Sequence, residues 1–493
     1  MEVITTVFPT RCPRYGLVAL STAFVMLCAI RQASIAAEPA SAPASQPAEE
    51  QVKPSPAPAK PYVSKAWGTR PETEPPGYVK TLDKLGLPGL EDLNWLEFGL
   101  QHRTRFERRD DDYRRPRLDS DNQFLLRSRT YLGIREIIDP LRFGLEFQDS
   151  RQFHSRYPDN GRDIDEAEIV QMFLELYFED ALGKGYPLRF QFGRMSFDYV
   201  DRRLISRQRW GNTTNAYDGF RLQLGKPTAD WQLDFLAVQP VERFMRQFNH
   251  GDDERWLFGL VGAWRRWHRY ITLEPYWFIL DENRKLPTSA DRTIHTMGLH
   301  IFGPIGNTGF DYDLNNTFQF GDDGERRHCA YAMYGEVGYT FAHEWKPRLS
   351  FSTCYSSGDR DPNDGASQRF DRMFGAGHPW SMADYFSWQN VICPKVRLEF
   401  APLDNLRFDT AYGGYWLASD SDSWVVPGRR DRTGQSGSFV GHEMDVRMRY
   451  KIDPRVELEV GYSHFMPGAF VRNTGPADDS DFFYVATTFN LFK

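Results

Sequence analysis

Arginines recur at alternate positions along this chain: Arg103 and Arg105, Arg127 and Arg129, Arg447 and Arg449. Residues two apart on a β-strand share one face, so each pair would stack two guanidinium groups on one wall. A planar guanidinium grips a carboxylate through two parallel hydrogen bonds. A ladder of such sites attracts a carboxylate-bearing solute without any one site retaining it, which is what conduction requires. By the same alternation Arg135, Arg142, Arg189, Arg221, Arg397 and Arg407 fall on that face. So do acids, among them Glu97, Glu146, Glu175, Glu399, Asp409, Asp445, Glu457 and Glu459. The plainer role for such groups is to pair across strands and brace a wall. A second group, Asp201, Arg202, Arg203, Arg207 and Arg209, lies in the segment 195–215. It would either line a constriction or form an exposed charged loop.

The elements that must carry these residues are strands. LRFGLEFQ sets Leu141, Phe143, Leu145 and Phe147 against Arg142, Gly144, Glu146 and Gln148. PLRFQFGR, GFRLQLG, VRLEF and RVELEVGY repeat the pattern. Period-2 alternation over about ten residues fits a soluble sandwich or an outer-membrane barrel. Eighteen candidate strands can be marked, near 96–106, 124–136, 141–150, 169–178, 187–194, 216–226, 231–238, 255–265, 269–279, 292–302, 307–320, 328–342, 346–357, 391–401, 404–418, 441–451, 455–465 and 482–492. Their connections are expected to alternate strictly between short (IIDP, KPTAD, APLD, KIDP) and long (107–123, 151–168, 195–215, 358–390, 419–440). That regularity, with an even strand count, predicts an all-β fold: a transmembrane antiparallel barrel of about 18 strands, with short periplasmic turns and long extracellular loops. Trp256, Trp264, Trp267, Tyr270, Tyr276, Trp277, Tyr339, Trp345, Tyr412, Tyr415 and Trp416 fall near strand ends, where aromatic girdles meet lipid headgroups.

Composition agrees. The chain has 493 residues, 15% of them aromatic, with a net charge of -7 and no basic tract, which argues against nucleic acid as a partner. Arg11 and Arg14, an apolar stretch from Tyr15 to Ile30 and the small residues Ser34 to Ala37 read as a signal peptide, residues 1–37. Residues 38–92, opening on EPASAPASQPAEE, read as a Pro/Ala-rich periplasmic linker, and 93–493 as the barrel. Of the cysteines beyond the signal, Cys329, Cys354 and Cys393 show no metal-site spacing. Three buried thiols are expected; one disulfide with a remaining thiol is the alternative.

The segment GDRDPNDG offers Asp359, Asp361, Asn363 and Asp364 as oxygen donors, so calcium at 359–365 is one reading. The EF-hand pattern fails there, because Gly365 falls at position seven and Phe370 stands where the bidentate glutamate belongs. Side chains bonding their own backbone in successive turns is the other reading, and no cofactor is expected. No HExxH, GxSxG or Walker pattern is present, and no nucleophile stands out beside His442 or His464, so an enzyme is not expected.

Two longer stretches carry a family likeness. GDRDPNDG followed by QRFDRMFGAGHPW and YFSWQN, and QFGRMSFDYVDRRLISRQRWGNTTNAYDGFRL, resemble segments typical of the alginate-export family of outer-membrane porins. HRTRFERR followed by FLLRSRTYLGIR is a third. The resemblance covers roughly residues 93 to 493 and implies an 18-stranded barrel in the outer membrane of a Gram-negative-type bacterium, exporting an anionic polysaccharide with the help of periplasmic export or synthesis partners. The mixed charge of the predicted lumen departs from the strongly electropositive pore of the alginate exporter. The pore-lining residues implied for an alginate-like polymer or oligomer are Arg103, Arg105, Arg127, Arg129, Arg142, Arg189, Arg202, Arg203, Arg221, Arg397, Arg407, Arg447 and Arg449. An uptake porin for small anions or sugar acids, and a secreted β-scaffold polysaccharide lyase or hydrolase, are the alternatives.

Overall fold

A computed structural model describes residues 61–115, 119–283 and 291–492. Eighteen antiparallel strands form one closed wall: β1 (Leu96–Asp110), β2 (Asp121–Ile134), β3 (Leu141–Phe153), β4 (Asp165–Phe178), β5 (Leu188–Met195), β6 (Tyr217–Gly225), β7 (Trp231–Glu242), β8 (Arg255–His268), β9 (Ile271–Glu282), β10 (Arg292–Pro304), β11 (Phe310–Asp323), β12 (Arg326–Thr340), β13 (Arg348–Ser356), β14 (Lys395–Leu403), β15 (Leu406–Trp416), β16 (Phe439–Asp453), β17 (Val456–Pro467) and β18 (Ser480–Asn490). Each pairs with its sequence neighbour. The first and last strands close the ring, running from Gln101 opposite Asn490 to Asp110 opposite Asp481. All eighteen lie where the alternation marks them. The signal-peptide residues 1–37 lie outside the described residues.

Burial is inverted relative to a soluble sheet. Along β3, Glu146, Gln148 and Ser150 are fully buried, while Leu141 and Phe147 are exposed. Phe192, Phe220, Phe235, Phe258, Met297 and Phe351 are likewise exposed on the outer wall. Apolar residues outside and polar ones inside are what a lipid-facing barrel needs. Trp264, Trp277, Trp345 and Tyr412 are among the exposed outer rings. Tyr276 and Tyr415 are not: both are buried on the inner face. Tyr276 bonds Asn315 and Thr317, two strands along the inner wall, and Tyr415 donates to the Trp380 carbonyl. Their alternation parity, rather than their nearness to a strand end, decides the side. The side chain of Trp267 lies outside the described residues.

The loop-length alternation has an exception. On the long-loop side β11 and β12 are joined by residues 324–325 alone, a tight turn with Gly324 at φ +64°. These two strands are 14 and 15 residues long and rise further than most of their neighbours before turning. Loops 196–216 and 357–394 both fold into the barrel, and they meet where Ile205 bridges Phe374.

Two expectations change. Cys354 and Cys393 are disulfide-bonded rather than buried thiols. Antiparallel pairing of Tyr355 with Ile392 sets them side by side, and the Cys393 N–H donates to the Cys354 carbonyl at 3.1 Å. Of the described part of the presumed linker, residues 61–81 enter the barrel lumen, where Ser64, Ala66, Thr69, Tyr78 and Val79 are buried, while most of 84–92 is exposed. Val79–Thr81 adds three residues of sheet to β1 where β18 has ended, pairing Thr81 with Glu97. Aromatic residues explain the packing: Trp67, Tyr78 and the half-buried Tyr62 break the Pro/Ala bias and have an interior to fill.

Wall contacts include aromatic rings laid over glycines directly opposite. Tyr276 faces Gly298, Tyr484 faces Gly461 and Phe173 faces Gly144. A Cβ at Gly298 would overlap the Tyr276 ring. Gly298→Ala should therefore displace Tyr276 from Asn315, whose amide in turn holds Asp201 at 2.6 Å. The expected cost is about 1–3 kcal/mol, as for other overpacked sites. It would be read as a lower temperature for loss of the folded, fast-migrating band on unheated gels.

Candidate functional site: the charged lumen

Buried charge in the interior is almost entirely paired, as burial in a low-dielectric space demands. Three constellations gather the nominated arginines. The first hangs loop 196–216 from β1 and β2. Arg103 and Arg127 stand directly opposite each other. Arg103 donates to the carbonyls of Arg209, Trp210 and Gly211 at 2.9–3.2 Å, and Arg127 to those of Arg209 and Gly211 at 2.9–3.0 Å. Arg105 donates to the Trp210 carbonyl at 2.6 Å and lies 4.2 Å over its ring. Arg129 bonds Gln148 and Thr214. Asn212 anchors the loop from the other side, its amide donating to the carbonyls of Leu126, Arg151 and Asp163. Carbonyls accept from the Nη groups of Arg103 and Arg127 without cancelling their charge, while the buried Nε of each has no partner.

The second constellation sits on loop 196–216 itself. Arg203 pairs with Asp201 at 2.6 Å and stacks 3.5 Å over Tyr334. Arg202 reaches Asp198 at 3.2 Å and the Gly68 carbonyl at 2.9 Å. Arg207 bridges Glu146 at 2.7 Å and Glu72 at 3.7 Å. Trp210 stacks on His378 of the opposing loop at 4.0 Å. Burial pushes the His378 imidazole well below its ordinary value, and the cations Arg447, Arg105 and Arg397 add to the effect, so the ring stays neutral.

The third constellation involves the strap, residues 61–81, which crosses the lumen at the short-turn end. It enters beside β10–β12, where Ser64 donates to Asp313 at 2.5 Å. Trp67 is then clasped between Arg397 at 3.8 Å and Arg447 at 4.0 Å. Both of those arginines bond Asp409, at 3.1 and 2.9 Å. Glu74 reaches the far wall. Both its carboxylate oxygens accept from Arg221, at 2.7 and 2.8 Å, and one also accepts from Arg189 at 2.9 Å. Tyr78 donates to Glu146 at 2.7 Å before the chain joins β1. Burial opposes the Glu74 charge, but Arg221 and Arg189 outweigh it and hold the carboxyl at about 2. A carboxyl held below its usual range contributes fully above that range and loses its contribution as pH falls towards about 2.

The other nominated arginines lie apart from these groups. Arg142 bonds Asp139 at 3.3 Å and stacks on Tyr177. Arg449 is 4.0 Å from Asp409, and Arg407 is exposed at the short-turn rim. In the GDRDPNDG segment Asp361 and Asp364 accept from the N–H groups of Asn363 and Ala366, and Asp359 lies 3.5 Å from Arg326. Among the described residues no group of metal-ligating side chains gathers there. Sequence reasoning missed Trp67, Glu72 and Glu74, because a Pro/Ala-rich stretch was read as a linker throughout. The rings at Trp67 and Tyr78 were the signal that the bias had ended.

The sequence model for alginate export matches residues 94–485. The chain belongs to the alginate export family. No curated protein matches it in sequence. Among solved structures, Pseudomonas aeruginosa OccK8 (OprE) is similar with a TM-score of 0.57 and 12% identity, covering 81% of this chain and 98% of its own. OpdK of the same organism, solved with vanillate, gives 0.56 and 10% identity over 81% and 98%. OprD, an outer membrane protein of that organism, gives 0.52 and 10% over 80% and 93%. At such identities the likeness shows a shared barrel fold. This family member is thus an outer-membrane channel, and its short turns with the strap end mark the periplasmic side.

The first constellation makes a prediction. Arg127→Ala removes one of the two donors at the carbonyls of Arg209 and Gly211 and leaves Arg103 as their remaining guanidinium partner. Loop 196–216 should loosen by roughly 1–3 kcal/mol. Limited proteolysis within 196–216, absent in the unaltered protein, would report it.

Proposed function

We propose that this channel passively conducts carboxylate-bearing saccharides, as alginate-like polymers or their oligomers, across the outer membrane. The observation that carries the reading is the Arg103–Arg127 pair, two buried guanidinium groups facing loop carbonyls rather than carboxylates. Uncancelled positive charge at a narrowed level of a pore raises the local concentration of anions. Arg129, Arg105 and, lower in the lumen, Arg189, Arg221, Arg397 and Arg447 would extend the attraction along the wall. Most of these already have protein partners, so a passing carboxylate exchanges one partner for another instead of filling an empty site. Such exchange keeps each stop shallow. Membership of the alginate export family supports this substrate class, and passage would follow a gradient, polymer synthesis or a periplasmic partner without a chemical step.

A second reading, uptake of small organic anions, is favoured by the crowded interior: loops 196–216 and 357–394 and the strap occupy much of the cross-section. OpdK, of similar fold, was solved with the carboxylate vanillate.

Reversal potentials of the purified protein in planar bilayers, under a salt gradient and then with oligouronates on one side, separate these. Anion preference with blockade by oligouronates is expected. Anion preference with block by small carboxylates alone would favour the uptake reading, and cation preference would remove both. Replacing Arg103 and Arg127 together by Ala should reduce the anion preference; an unchanged reversal potential would retire them as selectivity residues.

A further inference from the structure

The contact between Glu74 and the far wall is built like a ligand contact. Arg189 and Arg221 each have a wall carboxylate of their own: Glu175 beside Arg189, and Asp234 at 2.9 Å from Arg221. Those acids engage Nε of Arg189 and Nη2 of Arg221. They orient the two guanidinium groups and leave an Nη1 of each pointing into the lumen, where both meet Glu74. Supporting partners that fix a cation's free edge are the mark of a preorganised site. Beside it lies a cavity of about the size of one water, bounded by Tyr131, Gln191 and Arg207 together with Phe173 and Phe197. Glu74 itself belongs to no wall strand.

We propose that Arg189 and Arg221 form a carboxylate-binding site at the periplasmic entrance of the lumen, that Glu74 occupies it as an internal stand-in for the solute, and that a sugar-acid carboxylate competes for it and unseats the strap. This rests on the channel reading above and adds the site and its control. The strap suits exchange. Upstream of Val79 it joins no β-ladder, and among the described residues its ties to the wall each have a side chain on at least one partner: Ser64 with Asp313, Lys65 with Asp311, the Trp67 N–H with Glu336 and its ring with Arg397 and Arg447, Glu74 with its two arginines and Tyr78 with Glu146. Loop 196–216 holds it at Gly68, Arg70 and Glu72. Downstream, Val79–Thr81 pairs with β1 and serves as the hinge. With the strap swung out, Arg397 and Arg447 also lose their aromatic cover. Arrival of one carboxylate would thereby expose two further cations along the path.

The test compares the full chain with Glu74→Gln in planar bilayers, with sodium glucuronate added on the periplasmic-turn side. Glutamine keeps the shape and loses the charge. One charge-assisted contact corresponds to about a tenfold change in occupancy. The open fraction in plain potassium chloride should rise by that factor, and the glucuronate concentration for half-maximal effect should fall by it. Adding Arg189→Gln to Glu74→Gln should abolish the gain in glucuronate sensitivity; Glu175 still has Gln191 as a partner, so the wall keeps its pairing. Equal glucuronate sensitivity in the full chain and Glu74→Gln overturns the site. If that equality comes with anion preference, the channel reading stands without it. If the pore is cation-selective but Glu74→Gln still gains glucuronate sensitivity, the site stands and the conduction reading falls.

Discussion

A backbone crossing hydrocarbon must satisfy every N–H and C=O within the protein, because lipid offers no partner. A sheet meets that demand only by closing on itself, here through pairing of β1 with β18. Closure fixes the rest. With lipid outside, alternate residues of every strand must be apolar, and the polar remainder is turned inward. The same rule that leaves Phe192 and Phe351 exposed buries Glu146, Gln148 and Arg129. The interior is therefore charged by construction, and those charges need partners where water is scarce.

The partners found for them divide the lumen by function. Where a guanidinium meets a carboxylate, as Arg348 meets Asp311 at 2.6 Å and Glu336 at 2.7 Å, the pair braces neighbouring strands and little net field results. Where it meets carbonyls, as at the Nη groups of Arg103 and Arg127, hydrogen bonds form while the charge persists. An inward loop supplies carbonyls at that level because Asn212 ties its backbone to Leu126, Arg151 and Asp163, turning the neighbouring carbonyls towards the arginines. Loop 196–216 is thus both the obstruction and the means by which two like charges can be buried side by side.

Period-2 alternation made the wall legible in the sequence, since a lipid-facing strand tolerates few exceptions to it. The positions of all eighteen strands follow from that alternation and the spacing of the turns, whereas Arg407, marked as inward by parity, is exposed at the short-turn rim. What parity does not encode is where a segment without alternation goes. Loop 357–394 buries Trp380, Tyr385 and Trp388, although its charged opening, GDRDPNDG, reads as solvent-exposed. Strap residues 61–81 carry no strand pattern, and their proline content suits an extended path across a lumen as well as a linker in solvent. Cys354 and Cys393 are 39 residues apart, and only the return of loop 357–394 to β13 brings them together. Tyr276 and Tyr415 show the converse error: nearness to a strand end was given more weight than the side of the strand.

The lumen's contents also bear on how a filled barrel can conduct. An apolar plug would be held by area burial, which no hydrophilic solute could replace. Loops 196–216 and 357–394 are held in that way, with Phe197, Ile205, Phe370, Tyr385 and Phe386 buried in one apolar cluster with wall residues, whereas the strap meets the wall largely through polar and arginine contacts that a carboxylate or hydroxyl can substitute in kind. Trp67 between Arg397 and Arg447 is attached by cation–π attraction, weaker when hydrated than when dry. Entry of a hydrated anion would therefore loosen the contacts that oppose it. The apolar loops thus stay fixed, while the strap, held by exchangeable polar contacts, can yield to the solute whose chemistry it imitates.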